Sequence, residues 1–164
     1  MHDLSLYLLD ILENSVRAGA TVIAVGVTAD PSAGRLVMTV EDDGPGLPVS
    51  PEQVLDPFFT TKENKKTGLG LSLFRQAAEG AGGRFSVGRS ETLGGVAVRA
   101  EMSLDNVDRP PLGDVATSLL AMVATNPDVD FRIELADGDE RTSLRGSELP
   151  GRLPALVAFQ KAVP

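Results

Sequence analysis

Asp10, Asn14 and Arg17 stand at i, i+4 and i+7 in the run LLDILENSVRAGAT, residues 8–21. On a helix these spacings fall within about 60° of one another. A carboxylate, an amide and a guanidinium would then point the same way from a leucine-rich segment. A carboxylate and an amide oxygen one turn apart can hold a hydrated Mg²⁺, which takes few protein oxygens and keeps several waters. A cation one turn further on suits a phosphate. A solvated helix face with an incidental Asp–Asn–Arg ladder accounts for the same pattern, so the helix needs support from elsewhere.

VEDDGPGLP, residues 40–48, supplies it. Leu36, Met38 and Val40 share one face of a strand, and period two puts Asp42 on that face and Asp43 on the other. A carboxylate at the end of a core-facing row needs a donor, and an exocyclic amine such as that of adenine is one. Gly44 and Gly46 let the backbone turn sharply or approach a flat ligand. A plain Asp-Gly turn explains the glycines but not the inward Asp42. The acidic spacing of a calcium-binding EF-hand is absent. In TGLGLSL, residues 67–73, glycines ahead of a helix would leave backbone N–H groups and the positive helix end for a phosphate. No Gly-Lys-Ser/Thr follows, so this is not a Walker loop, and Leu73 leaves the dinucleotide fingerprint incomplete.

These residues need elements to hold them. Asp3 can cap a helix from Leu4, with Leu4, Leu8, Ile11, Leu12 and Val16 on one face and Gly19 as its stop. TVIAVGV and RLVMTVED alternate and read as a hairpin joined by ADPSAG. Residues 44–68 read as loop, rich in proline with a lysine cluster. LGLSLFRQAAEGAGG reads as a second helix from near Gly70 to the glycines at 80–83. RFSVGRS and GGVAVRAEMSL are two more strands. The pattern predicts an α+β fold, a two-layer sandwich with helices on one face of a mixed sheet. DNVDRPP, residues 105–111, reads as a boundary. Beyond it LGDVATSLLAMVAT predicts a helix and DFRIELADGDERTSL another hairpin, while ELPGRLPALVAFQKAVP is ambiguous between helix and strand. That division gives residues 1–105 and a small C-terminal α/β extension, 106–164. A helix plus a hairpin suffices to extend the sheet, cap its open edge or form a dimer interface.

The 164 residues suit one domain, or one with an appendage. With aromatics at 4%, the core must be aliphatic. The absence of cysteine excludes disulfides, thiol catalysis, iron–sulfur ligation and cysteine-based zinc sites, and fits a reducing, cytoplasmic setting. A net charge of −8 argues against nucleic-acid binding, whose affinity rests on Lys and Arg neutralising phosphates. No apolar run is long enough to span a membrane, and MHDLSL shows no signal peptide.

In their order, ENSVRAGA, DDGPGL, DPFFTTK, TGLGLSL and AEGAGGRFSV resemble the GHKL superfamily over roughly residues 1–105. It spans gyrase-type topoisomerases, heat-shock chaperones, sensor histidine kinases and mismatch-repair ATPases. PFFTTK and TGLGLSL look most like histidine kinases and anti-sigma serine kinases, ENSVRAGAT more like the mismatch-repair branch. The resemblance implies the Bergerat ATP-binding fold, with ATP and Mg²⁺ as cofactors. It implies that Asn14 ligates the Mg²⁺ bridging the phosphates and that Arg17 meets a phosphate. Asp42 would accept from the adenine amine, with Gly44 and Gly46 making room for the ring. Phe58 to Lys62, and so Phe59, Thr60, Thr61 and Lys62, match the F box at the edge of the ATP lid. Thr67, Gly68, Leu69, Gly70 and Leu71 match the glycine box beside the phosphates.

The departures set the functional question. Hydrolysing branches carry a water-activating Glu one turn before the Asn, and this chain has Asp10, one methylene shorter. Asp10 is the candidate base, or a second support for the metal. Glu13 lies off the Asp10/Asn14 line. The lid is short, and Lys62, Lys65 and Lys66 supply phosphate charge there or form a solvated loop. The only histidine is His2, so a phosphoacceptor would lie on a partner protein. The expectation is an Mg-ATP-binding regulatory protein of the anti-sigma or detached-kinase kind. An ATP-hydrolysing conformational switch and a nucleotide-binding module without turnover are the alternatives.

Overall fold

The computed structural model describes residues 3–56, 58 and 65–164, with 65–69 described through their backbone alone. The chain runs α1 (Leu4–Arg17), β1 (Val22–Asp30), β2 (Arg35–Asp42), α2 (Pro51–Leu55), α3 (Lys65–Gly80), β3 (Arg84–Arg89) and β4 (Val96–Ser103). It continues with α4 (Val115–Thr125), β5 (Asp130–Asp137), β6 (Glu140–Arg145), a 3₁₀ turn (Gly146–Arg152) and α5 (Leu153–Ala162). The six strands form one mixed sheet in the order β3-β4-β2-β1-β5-β6. Every neighbouring pair is antiparallel except β1 and β5.

Alternation decides which face is covered. Ile23, Val25 and Val27 of β1, Leu36, Met38 and Val40 of β2, Val98, Ala100 and Met102 of β4, and Phe131, Ile133 and Leu135 of β5 are all buried. The opposite face carries Gly26, Thr28, Thr39, Arg99, Arg132 and Glu134 and is left open. The sequence-predicted sandwich, with helices on one face of a mixed sheet, is the one observed. Burying each large aliphatic side chain contributes about 1.5–3 kcal/mol, and α1 buries Leu4, Leu8, Ile11 and Leu12 in this layer.

Helix α1 is anchored at both ends. The Asp3 side chain caps it by accepting from the Leu6 N–H at 3.2 Å. Its first two orphan donors go to the C-terminal segment: the Leu4 and Ser5 N–H groups donate to the carbonyls of Pro111 and Leu112, each at 2.9 Å. Gly19, with φ +94°, ends it in a conformation that glycine adopts without strain. On its flanks α1 contacts α3 and α4.

Three local expectations change. Helix α3 begins at Lys65 rather than near Gly70, so the glycine box lies inside its first two turns. The segment read as loop contains α2, capped by Ser50 and started by Pro51. The ambiguous final stretch is a 3₁₀ turn followed by α5. Residues 106–164 extend the sheet: β5 lies parallel to β1 from Val22↔Asp130 to Ala29↔Asp137.

Candidate functional site

Asp42 ends the buried row of β2 and is 3% exposed. Its Oδ1 accepts from the backbone N–H groups of Gly44 and Val96, both at 3.0 Å. Its Oδ2 accepts from the Ser15 hydroxyl at 2.6 Å. A carboxylate offers about four acceptor positions, and these partners use three. The position left on Oδ2 can accept from one further donor.

Asp43 faces the other way and does a different task. It accepts from the Thr21 N–H at 2.7 Å, the Thr21 hydroxyl and the Val22 N–H at 2.9 Å. The Thr21 hydroxyl and then the Val22 amide hold its carboxyl below the usual aspartate range. Asp43 pins the end of β2 to the start of β1.

A cavity of about 470 Å³ opens beside Asp42, within the range of small-molecule sites. Ile11, Leu71, Val96 and Val98 give it apolar walls, and Gly46, Leu47 and Pro48 line it from the segment after β2. Gly46 has φ +88°, a conformation that would strain any other residue. Asn14, Ser15, Arg17 and Ala18 reach it from α1. The Arg17 guanidinium donates to Asn14 Oδ1 at 3.4 Å, so that amide oxygen already faces a cation.

The structure thus brings together Asn14, Arg17, Asp42, Gly46 and Leu71 from the sequence-predicted set, with Gly44 behind Asp42. Asp10 does not line the cavity. It is exposed one turn earlier on α1 and packs against α3, where a Cβ placed on Gly70 would stand 3.3 Å from Asp10 Oδ2. Glycine costs a helix about 1 kcal/mol, but here it lets α3 lie close to α1 while Leu71, Phe74 and Ala78 are buried. Thr67, Gly68, Leu69 and Gly70 are helical rather than in a loop ahead of a helix. The N–H groups without an intrahelical partner are therefore those of residues 65–68. The F-box residues Phe59, Thr60, Thr61 and Lys62 lie outside the described residues, as does His2. Phe58 is 90% exposed.

Three contacts of Asp42 escaped the sequence reading. Ser15 is 5% exposed and continues the buried stripe of Leu8, Ile11 and Leu12; a hydroxyl where that stripe calls for an aliphatic residue was the signal. Gly95 ends the turn before β4 and Val96 begins that strand, and no local pattern points from them to residue 42. A second depression, of about 590 Å³, lies on the open sheet face. Its arginines are neutralised by neighbours, as in Arg99–Glu101, Arg132–Asp130 and Arg145–Asp130, and no buried acceptor like Asp42 faces it.

Residues 2–106 match the family described as histidine kinase-, DNA gyrase B- and HSP90-like ATPases. The chain belongs to this family. Its sandwich is the GHKL ATP-binding (Bergerat) fold. The chain is similar to the sensor protein kinase PilS of Pseudomonas aeruginosa, with 35% identity over 100 residues, 57% of this chain and 19% of that protein. It is also similar to the sensor kinase CckA of Brucella abortus, with 47% identity over 55 residues, 32% of this chain and 6% of that protein. The chain therefore spans less than a fifth of these curated relatives. A solved structure, the Aquifex aeolicus MutL ATPase domain complexed with ADP, superposes with a TM-score of 0.50 at 16% identity, covering 97% of this chain and 70% of that one. That likeness extends the shared fold into the C-terminal elements.

Proposed function

We propose that the chain binds Mg-ATP in the cavity beside Asp42 and uses it to regulate a protein partner. The observation that carries the proposal is the Asp42 carboxylate: buried, held by three donors and left with one acceptor position beside a cavity with apolar walls. The 6-amino group of adenine fits that position, and the 6-oxo group of guanine does not. Ile11, Leu71 and Val98 cover the ring faces, and Gly46 gives it room. The phosphates then extend along α1 toward Asn14 and Arg17 and the first turn of α3.

Among the described residues no cluster of three or more His, Asp or Glu side chains converges, so a Mg²⁺ would be held by Asn14 together with the phosphates and water. When bound it would supply charge neutralisation for phosphoryl transfer. Arg17 exchanges its contact with Asn14 for a phosphate oxygen, and Ser15 fixes the Asp42 carboxylate. The chain's single histidine is His2, so a histidine acceptor would lie outside residues 3–164. We propose residues 106–164 as the support of α1 and as the surface through which a partner, or a second copy, is engaged.

A second reading, hydrolysis coupled to a conformational switch, draws on Asp10. Its carboxylate sits on the α3 side of α1, against Gly70, and would be the base that activates a water in this reading. Titration of the chain with Mg-ATP, coupled to an ADP-release assay, tests both. Binding without ADP release, alone or with partner candidates, would leave a nucleotide-binding module without turnover. An absence of ATP binding would overturn the site itself.

A further inference from the structure

The turn joining β3 to β4, residues 90–95, is built around the two acidic residues at the end of β2. Ser90 is fully buried at 0% exposure. Its hydroxyl donates to Glu41 Oε1 at 2.8 Å and accepts from the Leu93 N–H at 3.0 Å. Its backbone closes the turn: the Ser90 N–H donates to the Gly95 carbonyl at 2.7 Å, and the Gly94 N–H donates to the Ser90 carbonyl at 2.8 Å. The next two amides then reach Asp42. The Gly95 N–H donates to the Asp42 carbonyl at 2.9 Å, and the Val96 N–H donates to Asp42 Oδ1 at 3.0 Å.

The packing leaves no slack. A Cβ added to Gly95 would overlap Asp42 Oδ1, and would stand 2.5 Å from the Asp42 carbonyl oxygen and 2.6 Å from the Gly44 nitrogen. The φ of Gly95 is not in the left-handed region, so its need for glycine comes from this approach and not from backbone conformation. One hydroxyl and one missing Cβ thus hold one amide on the Asp42 carboxylate and another on its backbone carbonyl, more than 50 residues away in sequence.

We propose that Ser90 and Gly95 are positioning residues for base recognition: the β3–β4 turn aims the Asp42 carboxylate and thereby sets the preference for a 6-amino over a 6-oxo purine. The proposal rests on the placement of adenine at Asp42. Strand pairing between β3 and β4 already joins the two ends of this turn, so the sheet does not require the particular contacts of Ser90 and Gly95 with β2. Those contacts fix the turn so that the next amide, the Val96 N–H, meets Oδ1, which leaves Oδ2 for Ser15 and the cavity.

The test compares ATP with ITP, which differ at the purine 6-position, by calorimetric titration of the full chain in Mg²⁺ buffer. The wild-type chain should prefer ATP by about 100-fold, because ITP presents an acceptor to an acceptor. Gly95→Ala should bring that ratio below about 10, and Ser90→Ala should lower it about 3- to 10-fold. Leu144→Ala, a core truncation on β6, serves as a destabilised control and should keep the wild-type ratio. Weaker binding of both nucleotides with an unchanged ratio in Gly95→Ala and Ser90→Ala would overturn the proposal, leaving the turn a structural part only. If Gly95→Ala does not fold, Ser90→Ala decides by the same ratio. A wild-type chain that binds ATP and ITP equally would overturn the placement of adenine at Asp42, and the proposal with it.

Discussion

The Asp42 end of the cavity and the Arg17 end are held in opposite ways. Around Asp42 every partner is a backbone amide or a short side chain, buried and within 3.0 Å. Those groups lose little conformational freedom on ordering, and low solvent access strengthens each bond. Around Arg17 the groups are longer and wetter: Arg17 and Asp10 are exposed, and Arg17 meets Asn14 at 3.4 Å. A preformed end and an adjustable end suit a ligand with one rigid flat part and one charged flexible part. Under the proposed function, the contrast places base selection on the sheet, through β2 and the β3–β4 turn, and phosphate handling on the facing sides of α1 and α3.

The harshest way to break the contrast is to remove what holds α1 itself. A chain ending at residue 105 loses the Pro111 and Leu112 carbonyls that cap α1, and strips β5 from Val22–Ala29 of β1. It also uncovers the side of α1 on which α4 packs. Several buried aliphatic contacts at about 1.5–3 kcal/mol each exceed the margin of an ordinary domain. The truncated chain is expected to lose cooperative thermal unfolding, measured by circular dichroism. A cooperative melt with ATP binding intact would show that residues 1–105 hold both ends unaided.

Next in size, Asp42→Asn exchanges one carboxylate oxygen for an amide donor that faces either the Gly44 and Val96 amides or the ligand amine. ATP, ADP and AMP should all bind about 100-fold more weakly, because the loss is at the base. Asp10→Asn should act at the other end only: ATP affinity within about threefold of wild type, and ADP release lowered about 100-fold if Asp10 is a base. Unchanged ADP release would remove the hydrolysing reading.

How far these residues could be found from sequence follows from the range of the interaction that places them. Asp42 was legible because period two carries a strand's buried row to its last residue. Asn14 and Arg17 were legible because helix spacing puts them on one side. Ser15 was not: it shares the stripe of Leu8, Ile11 and Leu12 and announces itself only as a hydroxyl out of place. Gly95 and Val96 act on a residue two strands back in the chain, and pairing at that range leaves no local periodicity. The glycine box misled because glycines are weak helix formers, yet close packing of Gly70 against Asp10 outweighs that cost. The hairpin after residue 129 was visible as two strands, but its parallel docking on β1 is a tertiary choice that alternation does not encode.

A smaller effect sharpens the contrast at the Arg17 end. Arg17→Ala removes one exposed charge, worth about 1 kcal/mol or less. ATP should bind about threefold to fivefold more weakly while AMP is unchanged, since the loss lies beyond the first phosphate. Equal weakening of AMP and ATP would place Arg17 at the base and erase the distinction between the two ends.

The smallest effect concerns the anchoring of the Asp42 end in acid. The Thr21 hydroxyl and the Val22 amide depress the Asp43 carboxyl in the folded chain. The Thr117 hydroxyl and amide do the same for Asp114 at the start of α4. A carboxyl whose folded value lies below its unfolded value of about 4 stabilises the fold above that unfolded value. Its contribution is lost as pH falls through the folded value. Thermal midpoints should therefore be flat from neutral pH to about 5 and decline below about 4. Asp43→Asn keeps a side-chain oxygen for the Thr21 and Val22 amides but cannot titrate, so its decline should be shallower than that of wild type, starting from a slightly lower midpoint at neutral pH. Parallel declines in the two chains would mean that Asp43 contributes nothing to acid sensitivity, and that the link between β2 and β1 depends on hydrogen bonding without its charge.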